Sequence, residues 1–245
     1  MAIEGPPQPD VVTEALDRLG RLSLRQLTME ALLQTVADLT SAAMPGDIEA
    51  SVTLVVAGEP TTVGYSGQLA LDLDERQYAC GHGPCLHAAG SGELTEITDT
   101  RSETRWPDYT RRAAERGNGS SLSVPLAIDE AQVRAALNIY AQQPVAFDDA
   151  SRSAATRIGT YAAVAAGNLH AYHNARDTAA NLEAALQSRP VIDQAKGILM
   201  ERFKLTGDDA FQLLAHVSMR SNVKLRVVAE HLVTTGELPS GVPGR

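Results

Sequence analysis

From Phe147 to Arg189 the chain runs without a proline, and small or apolar residues recur through it at helical spacing. Ile158, Ala165, Tyr172, Ala179 and Leu186 are spaced by seven, and Tyr161, Asn168, Ala175 and Leu182 form a second row offset by three. Two such rows are the a/d seam of a coiled coil. The spacing predicts a long connecting helix over residues 148–189, with Asp148 or Ser151 as its cap. A helix of about 40 residues must find cover for its apolar stripe. A second copy of the chain supplies that cover in one reading, which predicts a homodimer. The domain's own sheet supplies it in the other. The seam is rich in alanine and holds one Asn, so it is weak in energy but able to set register.

The 245 residues suit two domains better than one. Aromatic residues make up 4% of the chain, so aliphatic and alanine packing must carry the core. The net charge of −9 excludes a molecule that is attractive to nucleic acid all over. The charge is uneven, however. Residues 189–235 hold seven Lys and Arg against five Asp and Glu, a balance of +2, which leaves −11 for the remainder. The start MAIEGPPQPD has no signal-peptide pattern, and no apolar run approaches a membrane span. Two cysteines make no disulfide framework. These features predict a cytoplasmic protein without membrane contact.

Upstream of the long helix, residues 11–43 read as helical with interruptions near Gly20 and Ser23. SVTLVVA and TTVGYS predict a hairpin turning at Gly58-Glu59-Pro60, and residues 69–80 a short helix. A second short helix follows Pro84, Glu93–Ile97 is strand-like, and Pro107–Arg116 is helical. SLSVPLAI and VRAALNIYAQ predict a second hairpin turning at Asp129-Glu130, with Pro125 marking a bulge or an edge. The fold class is therefore α+β, an antiparallel sheet flanked by helices, over residues 11–170. Residues 1–10 and 237–245 read as disordered tails.

Downstream, residues 187–236 predict an all-α three-helix bundle. Its first helix starts at Pro190, with Ile192, Ala195, Leu199 and Phe203 inward. Its second has Thr206 as N-cap answered by Asp209, with Ala210, Leu213, Leu214 and Val217 inward. Its third starts near Asn222, read as an N-cap, with Leu225, Val228, Ala229 and Leu232 inward. Phe203 and Phe211 both read as core, leaving no aromatic on an exposed face. Gly197 in mid-helix costs roughly 1 kcal/mol relative to Ala. A neighbouring helix or a ligand backbone must need the missing side chain. Lys224 and Arg226 in a first turn oppose the helix dipole, a cost that suits phosphate binding.

SRPVIDQAKGILMERF, TGDDAFQLLAHVS and NVKLRVVAEHLV together resemble an ANTAR domain, a family of RNA-binding transcription antitermination regulators. The resemblance implies binding of paired RNA stem-loops with six-nucleotide loops. It also implies an RNA-facing set of Arg189, Lys196, Gly197, Arg202, Ser218, Asn222, Lys224 and Arg226. Met219 and Val227 depart from the family's usual Gln and Asp.

Gly83-Pro84-Cys85, Arg105-Trp106-Pro107, SLSVPL and ALNIYAQQPVAF resemble the GAF domains that precede ANTAR modules. This implies a sensor for an unidentified small-molecule effector or a redox signal, with Cys80, His82, Cys85 and Trp106 as its candidate residues. For Cys85 a structural role, a redox role and a metal-binding role stand open, and His87 extends the cluster. No nucleotide-binding loop or catalytic triad pattern occurs, so the chain reads as a regulator and not an enzyme, with no cofactor and no metal. The alternatives are a GAF-type methionine sulfoxide reductase and a helix-turn-helix directed at DNA.

Overall fold

The computed structural model of the protein describes residues 11–23, 25–128 and 133–239. The expected tail at 1–10, most of that at 237–245 and the expected Asp129-Glu130 turn lie outside these. The described residues divide into two compact units, one ending at His173 and the other beginning at Asn174.

In the first unit, α1 (Val11–Gly20) and α2 (Met29–Ala43) take the place of one interrupted helix. Thr28 caps α2, its Oγ1 accepting the Ala31 N–H at 3.2 Å. β1 (Ile48–Val56) and β2 (Glu59–Tyr65) form the first hairpin. Its turn is Ala57-Gly58, one residue earlier than expected, since Glu59 and Pro60 already pair with Val56 and Val55. Both turn residues have positive φ, 53° and 90°. That twist matches the flanking strands, and Gly58 adopts it without strain. Then follow α3 (Gln68–Cys80), α4 (Pro84–Ser91), β3 (Thr95–Ile97), α5 (Pro107–Glu115), β4 (Ser120–Leu126), β5 (Val133–Ala141) and the start of α6 (Asp149–Phe203).

The five strands lie in the order β2-β1-β5-β4-β3, antiparallel at every described pairing. Pro125 sits two residues beyond the part of β4 that pairs with β3, so β4 is locally an edge there, where its missing N–H costs little. Strand alternation sorts the side chains. Val52, Leu122, Val124, Leu137 and Ile139 pack under α1, α2 and α6 in one apolar core. Ser51, Thr53, Ser121, Ser123, Asn138 and Tyr140 take the other face, and they too are buried.

α6 meets the apolar face through Ala155, Ile158, Ala162, Ala166 and Leu169. Asp148 caps it, accepting the Ser151 N–H at 2.8 Å. The seven-residue rows thus do not share one environment. Ile158 is buried in its own domain, whereas Leu182 and Leu186 are each 61% exposed. Edge strand β2 is covered by α2. The Gln34 amide donates to the Tyr65 carbonyl at 2.8 Å and accepts the Tyr65 N–H at 3.1 Å. This occupies hydrogen-bonding groups that would otherwise template another strand. The approach works because Gly64 has no side chain: a Cβ there would stand 2.6 Å from the Gln34 backbone.

In the second unit the expected break at Pro190 is absent. α6 continues through it to Phe203, giving up the hydrogen bond that the Pro190 nitrogen cannot donate. α7 (Gly207–Ser221) and α8 (Leu225–Thr235) complete the unit around Ala195, Leu199, Ala210, Leu214, Val217, Val228, Ala229 and Leu232. Thr206 caps α7 as expected, accepting the Asp209 N–H at 3.2 Å and donating to the Asp209 carboxylate at 2.6 Å. Two expectations fail. Phe203 and Phe211 lie outside the core, 53% and 39% exposed. Asn222 ends α7 in the left-handed region, φ 53°, so it is a C-cap, and Lys224 holds the N-cap position of α8.

Gly64→Ala should lower the stability of the first unit by about 1–3 kcal/mol, because helix backbone cannot yield to a methyl group. The measurement is the urea midpoint of the full chain followed by Trp106 fluorescence.

Candidate functional site

The buried polar face of the sheet is closed by α3, α4 and α5, and its centre is Asp74 on α3. Asp74 Oδ1 accepts from Tyr140 Oη at 2.5 Å and from Asn138 Nδ2 at 3.2 Å, and Oδ2 accepts from Thr62 Oγ1 at 2.8 Å. The network spreads from there. Asn138 Nδ2 also reaches Thr53 Oγ1 at 3.0 Å, and Tyr78 Oη lies 2.9 Å from Thr53 Oγ1 and 2.8 Å from Thr62 Oγ1. Gln77 donates to Tyr140 Oη at 3.2 Å and accepts the Cys85 N–H at 2.7 Å. Burial raises the Asp74 pKa from 3.8 to about 6, against the lowering effect of hydrogen bonds from Ser51, Tyr140, Thr62 and Asn138. Burial and the nearby Asp74 charge push the phenols of Tyr78, Tyr109 and Tyr140 upward. Ser123 Oγ and Asn138 Oδ1 are buried without a hydrogen-bond partner among the described residues. Such atoms call for a water or a polar ligand.

The expected Cys80, His82, Cys85 and Trp106 group is not brought together. Cys85, at the start of α4, is fully buried and donates its thiol to Thr53 Oγ1 at 3.1 Å. Burial, then the Asp74 charge, pushes that thiol far up, so it is held neutral. Cys80 is half-buried at the end of α3, and both thiols are free. His82 and His87 are exposed. His87 leans on Trp106 at 5.8 Å, and Arg105 stacks over the Trp106 ring at 4.6 Å. Among the described residues no group of three His, Cys, Asp or Glu is arranged to hold a metal.

The expected RNA-facing residues occupy several surfaces of the second unit. Arg189 and Lys196 flank Asp193 on α6, at 3.7 and 3.5 Å. Arg202 is exposed, and its Nη1 donates to the Gly236 carbonyl at 2.6 Å where that residue closes α8. Ser218 ties the α7–α8 turn by donating to the Val223 carbonyl at 2.6 Å. Arg226 pairs with Glu230 one turn on at 2.7 Å, which offsets its unfavourable place near the α8 N-terminus. Among the described residues, and apart from Gly197's chain neighbours and the nearby backbone of its own helix, no atom lies within 4 Å of where a Gly197 Cβ would stand, so no described helix requires that glycine. Gly197 instead lines an open groove of about 830 Å³ with Gln194, Ile198, Glu201, Arg202 and Val233.

The comparisons with known proteins resolve both units. A GAF domain model matches residues 26–166, more than half of the chain, and an ANTAR domain model matches residues 180–233. The chain belongs to the GAF family and carries an ANTAR domain behind it. It is a GAF-ANTAR regulator. The fold of the GAF domain recurs in solved structures. One is fRMsr of Staphylococcus aureus in its reduced form, at 18% identity and TM-score 0.51, covering 64% of this chain and 96% of that one. Another is free methionine-R-sulfoxide reductase from Neisseria meningitidis with its substrate, at 16% and 0.50, covering 68% and 97%. A structure titled as the GAF domain matches at 16% and 0.50, covering 63% and 86%. At such identities the likeness is one of fold alone. No curated protein matches the sequence. No helix of the described residues is long and apolar enough to cross a membrane.

Sequence reasoning missed the Asp74 network of the GAF-ANTAR protein. The signal was present in the alternation Ser-Leu-Ser-Val of residues 121–124, but alternating serines ordinarily mean a solvated face.

Two outcomes follow. An acid whose pKa is raised by folding binds its proton more tightly in the native state. The associated stability, about 3 kcal/mol for a rise from 3.8 to about 6, is present below pH 4 and lost as pH climbs through 6. Asp74→Asn should therefore gain on the wild type by that amount between pH 4 and pH 7, read by urea unfolding at each pH. In addition, a thiol reagent should modify Cys80 alone in the native protein and reach Cys85 only after unfolding. Equal reaction of both in native buffer contradicts the buried placement.

Proposed function

We propose that this GAF-ANTAR protein is a cytoplasmic antitermination regulator whose ANTAR domain binds paired RNA stem-loops under control of the GAF domain, acting without catalysis. The observation that carries the reading is the ANTAR match over residues 180–233. The groove at Gly197 supports it. A glycine that no neighbour among the described residues requires allows a ligand backbone to approach α6 closely. Arg189, Lys196, Lys224 and Arg226 supply cations for phosphates, and Ser218 and Asn222 polar groups for loop bases. Binding of this kind to a stem-loop stops a terminator hairpin from forming.

The GAF input is a small polar effector received at the Asp74 face, where Ser123 Oγ and Asn138 Oδ1 have no partner among the described residues. The neutral, buried Cys85 speaks against both thiol redox sensing and sulfoxide reduction, since each needs a thiolate. Homodimerisation runs through the row Ala175, Ala179, Leu182 and Leu186, all exposed in the single chain. It would present two ANTAR domains to the two hairpins.

The test is fluorescence anisotropy of a double-hairpin RNA against the full chain over a salt series. Lys196→Ala with Arg226→Ala should weaken binding and make the salt slope shallower by about 2. Unchanged affinity and slope would refute the assigned surface, and preferential competition by duplex DNA would replace RNA with DNA as the target.

A further inference from the structure

We infer that Phe203 and Phe211 form a stacking platform for unpaired RNA bases on the ANTAR domain, an inference that rests on the RNA-binding reading above. The chain has three phenylalanines. Phe147 is buried at 2%, whereas Phe203 and Phe211 are 53% and 39% exposed. The core of the second unit is built of Ala, Leu and Val without them. With Met200 also 39% exposed, these rings add to an apolar surface of the kind that marks an interaction site.

Their setting says which. Lys196, Met200 and Phe203 follow one another at i, i+4 and i+7 on α6, and Arg189 stands seven residues before Lys196 on the same stripe. This flank faces the first turn of α7, because a Cβ on Gly207 would stand 3.9 Å from Met200 Sδ. Phe211 lies one turn on from Gly207 along α7, and Ser218 two turns beyond Phe211. Two cations, two rings and a hydroxyl therefore share one side of the bundle. Rings interleaved with Lys and Arg suit single-stranded nucleic acid, whose bases have π faces and whose backbone is anionic. A second protein copy would be met more simply by an apolar patch without the cations. Asp193 pairs with both Arg189 and Lys196, which moderates their attraction for phosphate and leaves room for stacking to add to the contact.

The experiment uses the full chain and two RNA pools with identical double-hairpin stems. One pool is randomised in both six-nucleotide loops, and the other carries abasic spacers there. The wild type should prefer the base-bearing loops. Phe203→Ala with Phe211→Ala should lose about tenfold or more on those loops, falling to the abasic level with the salt slope unchanged. Phe203→Tyr with Phe211→Tyr should restore the preference, which a merely folded scaffold would not explain. Three results overturn the platform. These are undiminished binding by the alanine variant, equal loss on both pools, and a change in its sedimentation without RNA, which would reassign the flank to self-association. A wild type that binds neither pool refutes instead the RNA reading on which the platform rests.

Discussion

The hydrogen-bonded carboxyl of Asp74 is the point on which the GAF domain turns. Among the described residues it is the one Asp, Glu, Lys or Arg that is fully buried. Such a group is tolerated only where donors surround it, and here Tyr140, Asn138 and Thr62 do so from β5 and β2. The same donors explain why a sheet with Ser51, Thr53, Ser121 and Ser123 on one face can be covered by three short helices. Much of the polar face is satisfied by side chains reaching across strands, while Ser123 Oγ and Asn138 Oδ1 are left without a partner among the described residues.

The opposite face of the sheet works by a different rule. Ala155, Ala162 and Ala166 let α6 lie close against the strands, and at Gly159 a Cβ would come 3.0 Å from the Val124 side chain. A helix rich in alanine buries less area per residue than one of leucine but approaches more closely. This is how a chain with few aromatics can still close its core. Beyond His173 the helix loses that support, and residues 174–187 are exposed throughout. The residues that made the heptad rows visible thus lie in two settings, buried in their own domain at Ile158 and exposed at Leu182 and Leu186.

The ANTAR domain was legible because its signals are local. Thr206 with Asp209 forms a cap within four residues, and the apolar stripes of α7 and α8 have ordinary helical spacing. The misreadings were of residues whose role depends on what lies across from them. Asn222 is as good a terminator as an initiator, and only the left-handed backbone at its position decides. Phe203 reads as core from its stripe with Ile192, Ala195 and Leu199, and Phe211 reads as core beside it, yet the core closes with smaller side chains without them. Pro190 reads as a helix start, but the turns on either side hold the helix through it.

By itself the sequence determined the α+β domain, the helical module behind it, the presence of a long helix between them and the caps at Asp148 and Thr206. All of these follow from periodicity and from the backbone preferences of single residues. Tertiary structure alone decided that the serine-bearing face of the sheet is buried, that the Cys85 thiol is buried and that two phenylalanines are exposed. Burial is a property of pairs of elements. No residue carries in its own chemistry the information about which helix will cover it.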